Sequence, residues 1–164
     1  MMRYFSYKKL NFYQFLLVIL ILAVAGYLQL SLHIEPCPLC MIQRLIFGIL
    51  GILFLIGASH HPRLKAGRIF SSVQLIIAIL GALVAGRQVW LQHLPPDQAP
   101  PCIPGFFYLV QNVPLWDVLK TILHGSADCA QVTWRFWALS ISEWSLLMFV
   151  IFMILSLIQV WRKK

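Results

Sequence analysis

Four long apolar stretches decide most of what this chain can fold into. They run from Asn11 to Ile34, Met41 to Ser59, Ile69 to Gly86 and Trp144 to Trp161. The second is broken only by Gln43 and Arg44 near its start; the other three carry no formal charge. A membrane-spanning helix needs about 20 predominantly apolar residues. Four such helices are therefore predicted, at roughly 12–32, 41–59, 69–90 and 143–161. Ala23-Val24-Ala25 also has the small-x-small pattern of a signal-peptide cleavage site. The apolar run continues past it to Leu32, so a retained helix is expected. Composition agrees with a membrane protein. Only 11% of residues are charged, against about 25% in a soluble domain, and the mean hydropathy is +0.82. The 164 residues allow one membrane domain.

The thirteen Lys and Arg outnumber the five acids. These cations do not form a nucleic-acid patch, because they flank the apolar runs instead of clustering on a polar domain. Cytoplasmic loops carry the excess of Lys and Arg. With both termini inside, Arg3, Lys8, Lys9, Arg63, Lys65, Arg68, Arg162, Lys163 and Lys164 are cytoplasmic. Arg44, Arg87, Lys120, Arg135 and all five acids then lie on the outer side. All four cysteines lie there too. His60-His61 falls in the short inner loop, where adjacent histidines are more often solvated than metal-bound.

A polar segment, roughly 92–141, separates the third and fourth runs. Pro95, Pro96, Pro100, Pro101 and Pro104 make its first part irregular. Leu115, Trp116, Leu119, Ile122 and Leu123 then recur at helical spacing. That pattern predicts a short amphipathic helix lying on the membrane, ended by Gly125.

The chemistry concentrates in Glu35-Pro36-Cys37-Pro38-Leu39-Cys40-Met41-Ile42-Gln43-Arg44, at the outer turn between the first two spans. Pro38 suits the first position of a helix, which puts Cys37 near the N-cap and Cys40 in the first turn. The partial positive charge of a helix N-terminus favours a thiolate. Arg44, four residues after Cys40, shares its face. Cys-x-x-Cys spacing serves zinc as well as a reversible disulfide. Outside the cytoplasm disulfides persist, so the outer placement favours disulfide chemistry. Four cysteines can pair in three ways; spacing favours Cys37 with Cys40 and Cys102 with Cys129. A membrane-anchored pair needs an electron acceptor, and a lipid-soluble quinone is the one at hand in that layer. Arg44 and His93 are polar groups at the outer interface that can hydrogen-bond a quinone carbonyl. A structural membrane protein held by disulfides or by a four-cysteine metal site remains open at this point, as does a vitamin K epoxide reductase-like enzyme.

Three segments together resemble the DsbB family of bacterial quinone-dependent thiol oxidases. They are Pro36-Cys37-Pro38-Leu39-Cys40-x-x-Gln43-Arg44, then Gly86-Arg87-Gln88 to His93, then Asp128-Cys129-Ala130 with Trp134 and Phe136. The resemblance covers nearly the whole chain. It implies an all-α integral membrane protein, a four-transmembrane-helix bundle with a long periplasmic loop and a short interfacial helix around Trp116. It implies redox-active pairs Cys37–Cys40 and Cys102–Cys129, with Cys40 nearest the quinone and Cys102 attacked by a periplasmic DsbA-like thiol oxidase. It further implies quinone contacts from Arg44 and His93, the quinone being ubiquinone or menaquinone. The DsbA–DsbB–quinone relay is what keeps the bacterial periplasm oxidising; that role is established for the family and is not read from these residues.

Overall fold

The computed structural model describes residues 2–32, 37–59, 64–95, 114, 116, 117, 129 and 134–161. Four helices dominate them: α1 Met2–Leu32, α2 Pro38–Ser59, α3 Leu64–Gln92 and α4 Ile141–Trp161. Each is long and apolar enough to cross a membrane. α1 packs on α2, α2 on α3, and α3 most extensively on α4. α1 and α3 begin before the expected spans, because their basic first turns continue the helix into the interfacial layer.

Without water to exclude, helices in lipid associate through close packing and interhelical hydrogen bonds. The core shows how this chain does it. Phe47 and Phe54 of α2 interlock with Phe149 and Phe152 of α4. The Phe47 and Phe149 rings stack at 4.0 Å with an interplanar angle of 5°, while Phe54 and Phe152 tilt against each other at 5.2 Å. Small residues let these rings in. A Cβ on Gly81 would clash with the Phe149 ring, and one on Gly51 would fall 3.0 Å from Val18 Cγ1. Ala78 and Ala85 of α3 complete the floor. The opposite faces, with Leu20, Ile52, Leu83 and Ile158 exposed, suit acyl chains.

α2 starts where the proline-first pattern places it. Met41 N–H donates to Cys37 O at 3.1 Å, the first bond of the helix, so Cys37 is its N-cap. Its sulfur takes the usual place of a capping oxygen, accepting from Cys40 N–H at 3.4 Å.

α4 starts differently from expectation. No strand is predicted in the polar segment, yet Arg135–Phe136 and Leu139–Ser140 form a two-stranded antiparallel hairpin. Its turn residues, Trp137 and Ala138, have φ of 51° and 66°, a left-handed conformation normally left to Asn and Gly. Trp134, Phe136 and Trp137 stack in sequence beside it. Ser140 then opens α4 with a capping box. Glu143 N–H donates to Ser140 Oγ at 3.3 Å, and Ser140 N–H donates to a Glu143 carboxylate oxygen at 2.6 Å. Gln92 ties this start to the end of α3, accepting from Ser140 Oγ and donating to Ser142 Oγ. Of the expected interfacial helix, Trp116 and Asp117 are helical and exposed. Its other residues, and Cys102, lie outside the described residues.

Candidate functional site

Three of the four cysteines meet at one end of the bundle. Cys37 and Cys40 are set by the first turn of α2, with the two sulfurs 3.0 Å apart. Cys129 joins them from the polar segment, packed with Cys37, Leu39 and Leu91 in one buried cluster and hydrogen-bonded to the Cys37 side chain. Cys129 is only 1% exposed and Cys37 8%; Cys40 is half-buried. Leu39 and Leu91 close the cluster, so solvent does not separate the three sulfurs. Its hydrogen bonds to Cys129 and to Cys40, which use the Cys37 thiol proton, together with burial, hold the Cys37 thiol well above the ordinary thiol range. The two neighbouring thiols, themselves ionisable, reinforce this, since a second negative charge beside the first is costly.

Two buried glutamines complete the cluster, and neither was singled out from the sequence as a site residue. Gln88, on α3, donates from Nε2 to Cys40 Sγ at 3.1 Å and to Cys37 Sγ at 3.3 Å. Gln43, on α2, donates to Gln88 Oε1 at 2.6 Å. The usable signal was there: an amide in an apolar span faces the bundle interior and seeks a polar partner.

Arg44 lies one turn beyond Cys40 on α2 and reaches across to α1. Its guanidinium donates to Gln29 Oε1 and to the Ala25 carbonyl. His93 follows the end of α3 and is 68% exposed. Its Nδ1 lies 2.8 Å from the Val89 carbonyl, and its Nε2 lies 4.0 Å from Glu143. Arg44 therefore faces α1 and His93 faces the start of α4.

The family model described as "Disulfide bond formation protein DsbB" matches residues 7–159. The chain belongs to the DsbB family. It is 42% identical to disulfide bond formation protein B 1 of Pseudomonas aeruginosa over 158 residues, which cover 96% of this chain and 97% of that one. It is 43% identical to disulfide bond formation protein B of Methylococcus capsulatus, covering 92% of each chain. The Nitrosococcus oceani protein of that name is 38% identical, over 96% of this chain and 93% of its own. DsbB membership makes the protein a disulfide oxidoreductase of disulfide bond formation. The four apolar helices make it a multi-pass membrane protein.

Proposed function

We propose that this chain reoxidises a periplasmic DsbA-like dithiol oxidase and passes the electrons to a membrane quinone. Both termini are cytoplasmic in this reading, and the cysteines face the periplasm. The observation that supports it best is the meeting of Cys129 with Cys37 and Cys40 in one buried cluster. Disulfide exchange needs an attacking sulfur in reach of a bonded pair, and Cys129 is in reach of Cys37.

The sequence of exchanges follows from that contact. A thiolate of the reduced partner attacks Cys102; the Cys102–Cys129 bond breaks and Cys129 leaves as a thiolate. Cys129 attacks Cys37, the Cys37–Cys40 bond breaks, and Cys40 leaves carrying the charge. The partner's second thiolate displaces Cys102, and the partner departs as a disulfide. Cys102 then attacks Cys129, restoring their bond and leaving Cys37 and Cys40 both reduced. Two electrons have moved from the partner to that pair, and two protons balance them.

A quinone, when bound, takes up those two electrons and two protons as the Cys37–Cys40 disulfide reforms. Arg44 fits a quinone carbonyl by its chemistry. It is a half-buried cation one turn from Cys40, with five N–H donors in a planar fork. Gln29 and Ala25 orient that fork without taking every donor. A charge held inside a span is costly and usually has a task. His93 is the second proposed quinone contact.

The direct test mixes the purified protein with a reduced DsbA-like protein and a soluble quinone, and follows quinone absorbance. Stoichiometric quinone reduction with partner oxidation is expected. Partner oxidation with no loss of quinone would overturn the acceptor; neither reaction would overturn the whole reading.

A further inference from the structure

Among the described residues, Gln88 is the side chain that bonds to both sulfurs of the Cys37–Cys40 pair. It is 3% exposed, as is Gln43. A carboxamide has a donor end and an acceptor end, and either could face the sulfurs. Gln43 decides between them. It donates to Gln88 Oε1 at 2.6 Å, so that oxygen is occupied, and the NH2 group points at Cys37 and Cys40. The Oε1 atom is also 3.6 Å from Cys40 Sγ, longer than the 3.1 Å from Nε2, so the donor end is the closer one.

From this geometry we propose that Gln88 is a positioning residue for disulfide exchange, its amide aimed by Gln43 so that its N–H groups receive the charge leaving Cys37–Cys40. The proposal rests on the exchange sequence above. When Cys129 attacks Cys37, negative charge appears on Cys40. The groups facing Cys40 are then Cys37 and Cys129, now joined and neutral, Arg44 one turn away, and Gln88 in direct contact. A hydrogen bond to an ionised sulfur is stronger than one to a neutral group. It is also already in place, so no reorganisation is needed at the moment of transfer. A disulfide sulfur is a poor acceptor, so Gln88 stabilises the reduced pair more than the oxidised one. It thereby makes Cys37–Cys40 a stronger oxidant towards Cys129.

Gln88→Met tests this with little change in volume, since methionine fills the same space without the donor. The full-length protein, without quinone or partner, is equilibrated in glutathione buffers, and the oxidised fraction of Cys37–Cys40 is read by alkylation. The equilibrium should move about tenfold towards the disulfide, or ~30 mV for a two-electron couple. Gln43→Met should move it the same way by less, because Gln88 keeps its donor but loses its aim. The Cys102–Cys129 equilibrium should not move in either variant. An unchanged Cys37–Cys40 equilibrium in both variants would overturn the proposal, and so would an equal shift of both cysteine pairs, which would mark a general loss of structure. Because no quinone is present, this result stands apart from the quinone-reduction test. Failure there removes the electron acceptor but leaves the glutathione comparison readable.

Discussion

Among the described residues, two of the buried polar clusters sit at opposite ends of the bundle and are built from the same kind of side chain. At one end Gln43 and Gln88 surround Cys37 and Cys40. At the other, Asn11 donates to Gln159 Oε1 and accepts from Gln74; Ser71 donates to the same Gln159 oxygen; Gln159 donates to Gln14. Gln74 also reaches the Leu53 carbonyl, so the second cluster touches all four helices. The amides of both clusters are buried, as is Cys37, while Cys40 is half-buried. The clusters differ in what their members can become. The amide cluster has no group that ionises or exchanges a covalent bond, so its bonds hold helices in register and do nothing else. The thiol cluster has sulfur atoms, which by their chemistry can ionise and can exchange a covalent partner. Burying polar groups in a membrane bundle is therefore not a sign of function; burying them around a sulfur that can leave is.

The sharpest way to break the comparison is to remove one sulfur. Cys129→Ser should abolish partner oxidation, because nothing then carries electrons to Cys37. The protein should unfold under the same conditions as wild type, since the amide cluster is intact. Cys37–Cys40, reduced chemically, should still reoxidise with quinone. Partner turnover at the wild-type rate would show that electrons reach the membrane pair by a route that avoids Cys129.

The converse change strikes the amide cluster. Gly57 lets Asn11 in: a Cβ there would fall 2.7 Å from Asn11 Oδ1, and Asn11 cannot retreat without breaking its bonds to Gln74 and Gln159. Gly57→Ala should cost about 1 kcal/mol. Asn11→Leu should cost more, about 1–3 kcal/mol, because it strands the buried amides of Gln74 and Gln159. Thermal melts in detergent would show both losses. Quinone reduction per folded molecule should stay at the wild-type level in each.

Much of this was legible in the sequence, and the remainder was not for definable reasons. Long apolar runs announce helices regardless of partners, so all four were readable. Pro38 after Cys37 announced the start of α2. Ser140-Ile141-Ser142-Glu143 carries the capping-box spacing, a usable signal for the start of α4 that was not read. The hairpin before it had no such signal, because Trp137 and Ala138 are residues that turns of this kind rarely use. The amides were visible as polar residues in apolar spans. Their pairing was not, because Asn11 meets Gln159 across 148 positions of sequence, and only the packing of α1 against its neighbours brings them together. Gln88 was hidden for the same reason: its partners lie on α2.

A finer division appears within the thiol cluster itself. Cys37 engages its thiol proton in hydrogen bonds to Cys129 and Cys40 and is buried, and each keeps that proton on. In the reduced protein Cys37 should therefore alkylate slowly at pH about 8.5, where an ordinary thiol is half ionised, and the denatured chain should react at the full rate. The sign follows from the shift. A raised thiol value means that the folded state holds its proton to higher pH than the unfolded state does. Site-resolved mass spectrometry of the alkylated protein would read this. Equal rates for Cys37 in folded and denatured chains would place it outside the cluster.

The smallest expected effects separate Arg44 from His93, and with them the two sides of the proposed quinone site. Arg44 is half-buried and tied to α1 through Gln29 and Ala25. A charged hydrogen bond lost from such a place costs about 1.5–3 kcal/mol, so Arg44→Ala should raise the quinone KM by about tenfold or more. Arg44→Lys keeps the charge without the planar fork and should fall between. His93 is 68% exposed, and its ring nitrogens already face the Val89 carbonyl and Glu143. An exposed pair at 4.0 Å contributes at most about 1 kcal/mol, so a quinone contact made there is the weaker of the two. His93→Ala should raise the quinone KM by about threefold, with the glutathione equilibrium of Cys37–Cys40 unchanged. If His93→Ala cost as much as Arg44→Ala, the quinone would have to reach the α4 side of the site as fully as the α1 side. If Arg44→Ala cost nothing, its guanidinium would only be anchoring α2 to α1, and the quinone would have to dock elsewhere near Cys40.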